Sequence, residues 1–457
     1  MQVTALEPTD FAQDCDTPQS NWLTFGSSKL LLMLMVGCGM VIRAVVVAFS
    51  FRGISSPQGD FGQFSAEMGW VARSIALGRG FTSPFYHFTG PTALVPPLFP
   101  YLLAGVFKNY GLYSPKSAVV ILMLDSLFSV LTCIPIYLCL REAAGEKAAR
   151  LAAWLWVVYP FSIYYASAQV WDYALTSMLF AWCFYFAMRL PQRKSLFAWF
   201  GFGALYGVTA LSNPSILSLL PFLLLLALYR VKQAGGKVVL RAVATALAFL
   251  LMVAPWTVRN YREMHGFVPI RDGFWLEFWA GNHGDMTRTN PGNAHPATNE
   301  AEMQKFEQQG ETAYLAEKHV LGMAWVSQHP VLFVEVTGRR IFRFWTGFWS
   351  FAGEYLREEP LDVPNLFFCS AVTFFMLIGI RRWWRMDRSA ALPYALVITI
   401  FPITYYLSHT SMDYRQPIEP EIMILVAMGI LGLRKAKDAN ALQDVATMDE
   451  ERELVAP

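Results

Sequence analysis

Long apolar runs set the pattern of this chain, and they come at helix length rather than strand length. Runs of roughly 17–25 apolar residues, each long enough to cross a hydrocarbon core of about 30 Å as a helix, recur along most of the sequence. They predict an all-α polytopic membrane protein with about ten spans, over residues 29–50, 117–140, 151–167, 172–188, 195–211, 214–228, 239–255, 365–380, 389–407 and 418–433. The sixth run is short, and Ser212-Asn213-Pro214 separates it from the fifth, so the two also read as one broken hairpin. Two long polar stretches interrupt the pattern, at 51–116 and 256–364. The division that follows is a tail over 1–28, a membrane domain over 29–255 that includes the first loop, a second loop over 256–364, closing spans over 365–433, and a tail over 434–457.

The polar positions orient these spans. Arg141, Lys147 and Arg150, then Arg189, Arg193 and Lys194, then Arg230, Lys232, Lys237 and Arg241 crowd alternate short connections, as do Arg381, Arg382, Arg385 and Arg388. The intervening short loops carry almost no basic residues, so the basic loops are expected inside, with both termini cytoplasmic and both long loops facing out. A multi-pass membrane protein is the expectation. The acidic start, with Glu7, Asp10, Asp14 and Asp16, lacks the basic region of a signal peptide. Composition agrees: 55% of residues are hydrophobic, only 15% are charged, and the net charge of +2 marks no polyanion-binding chain, so no nucleic-acid partner is expected. Internal repeats of the kind that mark many transporters are not visible.

The first outward loop carries a helical stretch over 61–77 in which Phe64, Met68, Val71 and Ile75 share one face. Glu67 borders that stripe and Asp60 precedes the stretch. Either carboxylate is placed to act as general base on an acceptor hydroxyl, and capping of the helix is the competing explanation for Asp60. A rigid ledge follows in Val95-Pro96-Pro97-Leu98-Phe99-Pro100.

Several stretches together resemble the GT-C superfamily of membrane glycosyltransferases, specifically bacterial relatives of the protein mannosyltransferases and aminoarabinose transferases. They are AEMGWVARSIALGRGF, GPTALVPPLFPYLLAGVF, APWTVRNY with FVPIRDGFWLEFWAGN, and YRQPIEP before the last span. The resemblance implies a polyprenyl-phosphate sugar donor, an inverting transfer on the outer face, and a lipid, glycan or protein acceptor. It also implies an Asp or Asp-Glu pair early in the first loop. Here no adjacent pair exists, so Glu67 and Asp60 both remain candidates. Read in that light, Arg259 at the end of the seventh span is expected to bind the donor phosphate through its planar guanidinium fork, with Arg415 as a second phosphate ligand oriented by Glu419. Asp172, Tyr261, Asn282, His283 and Tyr414 complete the expected substrate-binding set.

No cofactor is expected. The histidines all fall on the assigned outer side, and a grouping such as His283, Asp285 and Glu277 lacks the spacing of a metal motif. Residues 331–351 carry Glu335, Arg339, Arg340 and Arg343, too many charges for a span, and are expected along the interface. Arg43 and Asp125, at similar depth in consecutive spans, are expected to pair. The rival class is a lipid or solute transporter that performs no covalent chemistry.

Overall fold

The computed structural model describes residues 22–50, 64–284, 294–348, 350–358 and 362–432. Asp60 and Asp285 lie outside the described residues. The described chain is built from helices, and its one β contact is an isolated bridge between Thr82 and Pro91. A long α1 (Trp22–Ser50) leads to α2 (Ala66–Ala76) and α3 (Leu98–Tyr110) of the first long loop. Then α4 (Pro115–Leu131) and α5 (Cys133–Ala144) follow almost as one rod, begun by Pro115 and capped where Ser114 Oγ accepts the Ser117 amide at 3.1 Å. The middle of the chain supplies α6 (Glu146–Val157), α7 (Pro160–Ser167), α8 (Tyr173–Arg189), α9 (Leu196–Ser212), α10 (Leu220–Gln233) and α11 (Val239–Met264). The second loop holds α12 (Phe274–Gly281), α13 (Glu300–Gln309), α14 (Glu311–Gln328), α15 (Pro330–Thr346) and the short α16 (Gly353–Glu358). The chain closes through α17 (Asp362–Met386), α18 (Arg388–Ile400), α19 (Ile403–Leu407) and a final helix, α20, over 419–432.

Six of these helical stretches are both long and apolar enough to cross a bilayer: Ser28–Phe49, Pro115–Ala144, Tyr173–Gln192, Val239–Met264, Val363–Met386 and Arg388–Leu407. Two of the other expected spans are interrupted at proline. Pro160 divides the third between α6 and α7, and Pro214 opens a 3-10 turn before α10. Residues Pro330–Thr346 form one amphipathic helix that is not among the six.

The largest core cluster joins α1, α5, α6, α8, α18 and α20 through Tyr137, Trp156, Phe184, Tyr394 and Ile422. Close helix approach there depends on Gly379, where an added Cβ would sit 1.9 Å from the Leu425 carbonyl oxygen. A second cluster seats the first loop on the bundle through Phe64, Met68, Val71, Phe99 and Ile121. A third, with Phe85, Leu94, Leu276, Met303, Phe306 and Tyr314, ties α13 and α14 to the ledge.

The expected Arg43–Asp125 pair does not form. Arg43 donates to the Val157 carbonyl at 3.1 Å and to Ser129 Oγ and Ser162 Oγ at 3.0 Å each, while both Asp125 oxygens are buried without a hydrogen-bond partner among the described residues. The helix break before Pro160 explains this, because it releases the Val157 carbonyl from the α-helical ladder and gives the guanidinium a better-placed acceptor. Asp125→Asn is therefore expected to leave the thermal midpoint in detergent unchanged or raised, whereas Arg43→Ala strands buried acceptors at a cost of roughly 2–4 kcal/mol. Equal destabilisation by the two substitutions would contradict this assignment.

Candidate active site

The chain enters α2 through Ser65 and Ala66, both in the left-handed region at φ 67 and 40. Gly69 permits that tight entry, since a Cβ there would lie 1.9 Å from the Phe64 carbonyl oxygen. Phe64, Met68 and Val71 then bury the apolar face, which turns Glu67, one residue from Met68, into a cavity instead of into the core. Its Oε1 lies 3.8 Å from His295 Nε2. Burial pushes the Glu67 carboxyl up to about 7, and the nearby Glu277 charge adds to that rise.

The cavity measures about 710 Å³. Arg271, Glu277, His409 and Tyr414 line it together with Glu67. Arg271 owes its place to the preceding residue: Trp256 Nε1 and Asn260 Nδ2 both donate to the Ile270 carbonyl, at 2.9 and 3.2 Å. Glu277 projects from the first turn of α12 and lies 3.8 Å from Arg271 Nη2 and 3.2 Å from His409 Nδ1. Burial alone would raise its pKa, but contact with His409 and the charges of Arg271 and His295 outweigh it, so the carboxyl falls to about 2. Nε2 of His409 meets the Tyr414 hydroxyl at 2.9 Å, and Tyr414 stacks on Tyr405. Burial lowers the pKa of His295. Two carboxyls in one cavity are thus held in opposite states near neutral pH: Glu67 poised to exchange a proton, Glu277 fixed as an anion.

Asp172 lines the same cavity, and its side chain does not cap α8. It accepts from Thr176 Oγ1 and Asn213 Nδ2, both at 3.1 Å. Apolar surface from Leu94, Val95, Trp171, Phe274 and Pro417 completes the lining.

Of the residues singled out in the sequence, Glu67, Asp172 and Tyr414 come together here. The others among the described residues do not line this cavity. Arg259 is spent on backbone, donating to the carbonyls of Thr92 at 2.6 Å and Phe81 at 2.5 Å. Arg415 is buried in an ion pair with Glu419 at 2.6 Å, beside Tyr159. Tyr261 is exposed on α11. Asn282 is buried as a brace, donating to the Phe278 and Leu407 carbonyls and accepting from Arg340, which also donates to Gly281. His283 folds back on Trp279. Sequence reasoning passed over Arg271, Glu277, His295 and His409 as site residues. The first two were visible as opposite charges within the otherwise aromatic stretch RDGFWLEFW; the histidines carried no local signal. Among the described residues, no group of three or more His, Cys, Asp or Glu is arranged to hold a metal ion.

Residues 94–258 match the family model for dolichyl-phosphate-mannose-protein mannosyltransferases. That segment includes Asp172 but neither Glu67 nor Arg271. Over 93% of its length the chain superposes on the oligosaccharyltransferase of Archaeoglobus fulgidus, with a TM-score of 0.55 and 16% identity. It superposes equally widely on the AglB oligosaccharyltransferase of that organism in complex with an inhibitory peptide and a dolichol-phosphate, with a TM-score of 0.53 and 15% identity. In both cases it covers 52% of the other chain, so it spans about half the length of the solved structures it matches. ArnT from Cupriavidus metallidurans, bound to undecaprenyl phosphate, aligns at 14% identity and a TM-score of 0.35, over 87% of this chain and 77% of ArnT. No curated protein sequence matches the chain. The architecture is that of a multi-pass membrane protein, and its fold is shared with these solved oligosaccharyltransferases. The 94–258 segment is similar to the mannosyltransferase family named above.

Proposed function

We propose that this protein is an inverting glycosyltransferase that moves a sugar from a polyprenyl-phosphate donor to a nucleophile on a lipid, glycan or protein acceptor. The reaction takes place at the outer face of the inner membrane, with both termini cytoplasmic. Glu67, as carboxylate, takes the proton of the acceptor hydroxyl while its oxygen attacks the anomeric carbon. The bond from that carbon to the phosphate oxygen breaks with inversion, and the electron pair leaves on the polyprenyl phosphate. Arg271 receives the developing negative charge, and the Tyr414 hydroxyl adds a neutral donor. Glu277 keeps Arg271 and His409 in place without itself taking a proton at neutral pH. Asp172 is available to orient sugar hydroxyls. Asp60 stays the alternative base.

One observation carries this reading: a single cavity is lined both by a carboxyl poised near neutrality and by a guanidinium. Arg271 takes the part that sequence reasoning gave to Arg259 and Arg415. The test is direct. Purified protein in nanodiscs, given undecaprenyl-phosphate sugars and membrane lipids or glycans, should release undecaprenyl phosphate and form a product of inverted anomeric configuration by NMR. Movement of lipid or solute across vesicles with no covalent product from any donor would favour the transporter reading and end this one.

A further inference from the structure

Behind the cavity wall, two acids meet where charge is least welcome. Glu311 opens α14 and is buried, and the Asp272 carboxyl lies in hydrogen-bonding contact with it. Glu311 Oε2 accepts from Thr92 Oγ1 at 2.5 Å, and Oε1 accepts from the Ala93 amide at 2.6 Å. The Asp272 amide donates back to the Ala93 carbonyl at 3.1 Å, and Thr92 Oγ1 in turn accepts from the Leu94 amide at 3.0 Å. Arg259 closes the knot on the Thr92 carbonyl. Both acids are thus held to Ala93, Glu311 by its buried carboxyl and the partly buried Asp272 by its amide, and carboxyls brought this close favour sharing one proton over ionising together.

What the pair joins gives it a use. On one side the ledge continues from Ala93 into Leu94, Val95 and Pro96, all of which line the cavity. On the other, Asp272 is the chain neighbour of Arg271, and Phe274 lines the cavity two residues on. Tyr314 and Leu315, one turn beyond Glu311, pack in the same cluster as Leu94 and Leu276. The clamp thus stands where three segments distant in sequence converge: the ledge, the Arg271 loop and the start of α14.

We propose that Glu311 and Asp272 are a positioning pair, a proton-sharing clamp that fixes the Arg271 loop against the 92–96 ledge and so sets the guanidinium at the donor phosphate. The claim rests on the reading above for what Arg271 does, but the clamp itself is independent of it. Neither acid touches the cavity in this role; both act through Arg271. A neutral amide reproduces the shared proton: the Gln oxygen accepts from the Ala93 amide and its NH2 donates to the Asp272 carboxylate, while the Thr92 hydroxyl changes from donor to acceptor toward it.

Two measurements on the full chain in detergent test it. By hydrogen exchange, Glu311→Ala is expected to speed exchange at the Ala93, Leu94 and Asp272 amides at least about tenfold, and Glu311→Gln to stay within about threefold of wild type. Thr92→Val, which removes a hydroxyl while keeping the shape, is expected to speed the same amides by an intermediate factor, and it decides the matter if the Ala variant loses protection throughout α13 and α14. In transfer assays, Glu311→Ala should raise the donor KM about tenfold and leave the acceptor KM unchanged, with Gln restoring the donor KM. Unaltered exchange in both the Ala and Val variants, or Gln as damaging as Ala, overturns the proposal. So does loosened exchange accompanied by an unchanged donor KM. Were the wild type to turn over no donor at all, the transferase reading would fall, while exchange at 92–94 and 272 would still decide whether the clamp exists.

Discussion

Glu67→Gln is expected to lower transfer by roughly 10²–10⁴ while leaving the protein folded, and at alkaline pH more stable than the wild type. Both effects come from one cause. Burial holds the Glu67 carboxyl neutral up to about pH 7 in the folded protein, against an ordinary value of 4.5. As a base it works only when ionised, so wild-type activity should climb as pH rises through about 7, and the Gln variant should lose that limb. Stability runs the other way. A carboxyl whose pKa is raised by folding favours the folded state while protonated, and that contribution is lost as pH rises through its folded value. At pH 8 the buried carboxylate costs about 1–3 kcal/mol, allowing for water that still reaches it through the cavity, and Gln removes the cost. Thermal unfolding of the two proteins at pH 5 and pH 8 should show a gap only at the higher pH. Full activity in the Gln variant would hand the base role to another acid, Asp60 or Asp172.

Arg271→Ala should reduce kcat/KM for the donor by roughly 10²–10³, the usual consequence of removing a charged group aimed at developing negative charge. Arg271→Lys should recover only part of this, because an ammonium supplies the charge without the planar fork that suits a phosphate. The partnership with Glu277 gives the prediction a further edge. Glu277 lies 3.8 Å from Arg271 Nη2 and 3.2 Å from His409 Nδ1 and stays ionised down to about pH 2. Removing the arginine therefore leaves an anion facing the donor phosphate. The double substitution Arg271→Ala with Glu277→Gln should accordingly bind donor better than Arg271→Ala alone, measured as donor KM. Equal donor KM in wild type and Arg271→Ala would place the phosphate elsewhere, Arg259 being the first residue to test.

Hydrophobic periodicity carried most of the fold. The membrane helices, the amphipathic character of Pro330–Thr346 and the α2 stripe of Phe64, Met68 and Val71 all follow from spacing, because a lipid-facing or core-facing side chain must be apolar wherever the backbone is helical. Proline positions were equally plain, though their full effect was not: Pro160 and Pro214 turn expected spans into broken pieces. The Arg43–Asp125 pairing failed because depth in the bilayer was read from sequence, whereas the choice of acceptor was settled by a carbonyl freed at a helix break.

For the site, the division is sharper. Sequence alone determined that carboxylates, arginines and aromatics gather in two long loops, and it singled out Glu67, Asp172 and Tyr414, which meet in one cavity. It put Arg259 first and Arg415 second for the phosphate and passed over Arg271, because the three are alike as residues. Tertiary structure separated them by what each already holds: carbonyls of Phe81 and Thr92 for Arg259, Glu419 for Arg415, and for Arg271 a place on the cavity wall beside Glu277. A guanidinium satisfied by buried partners has little left to offer a ligand, and which partners it finds depends on segments nearly two hundred residues apart in the chain, a relation that no local pattern encodes.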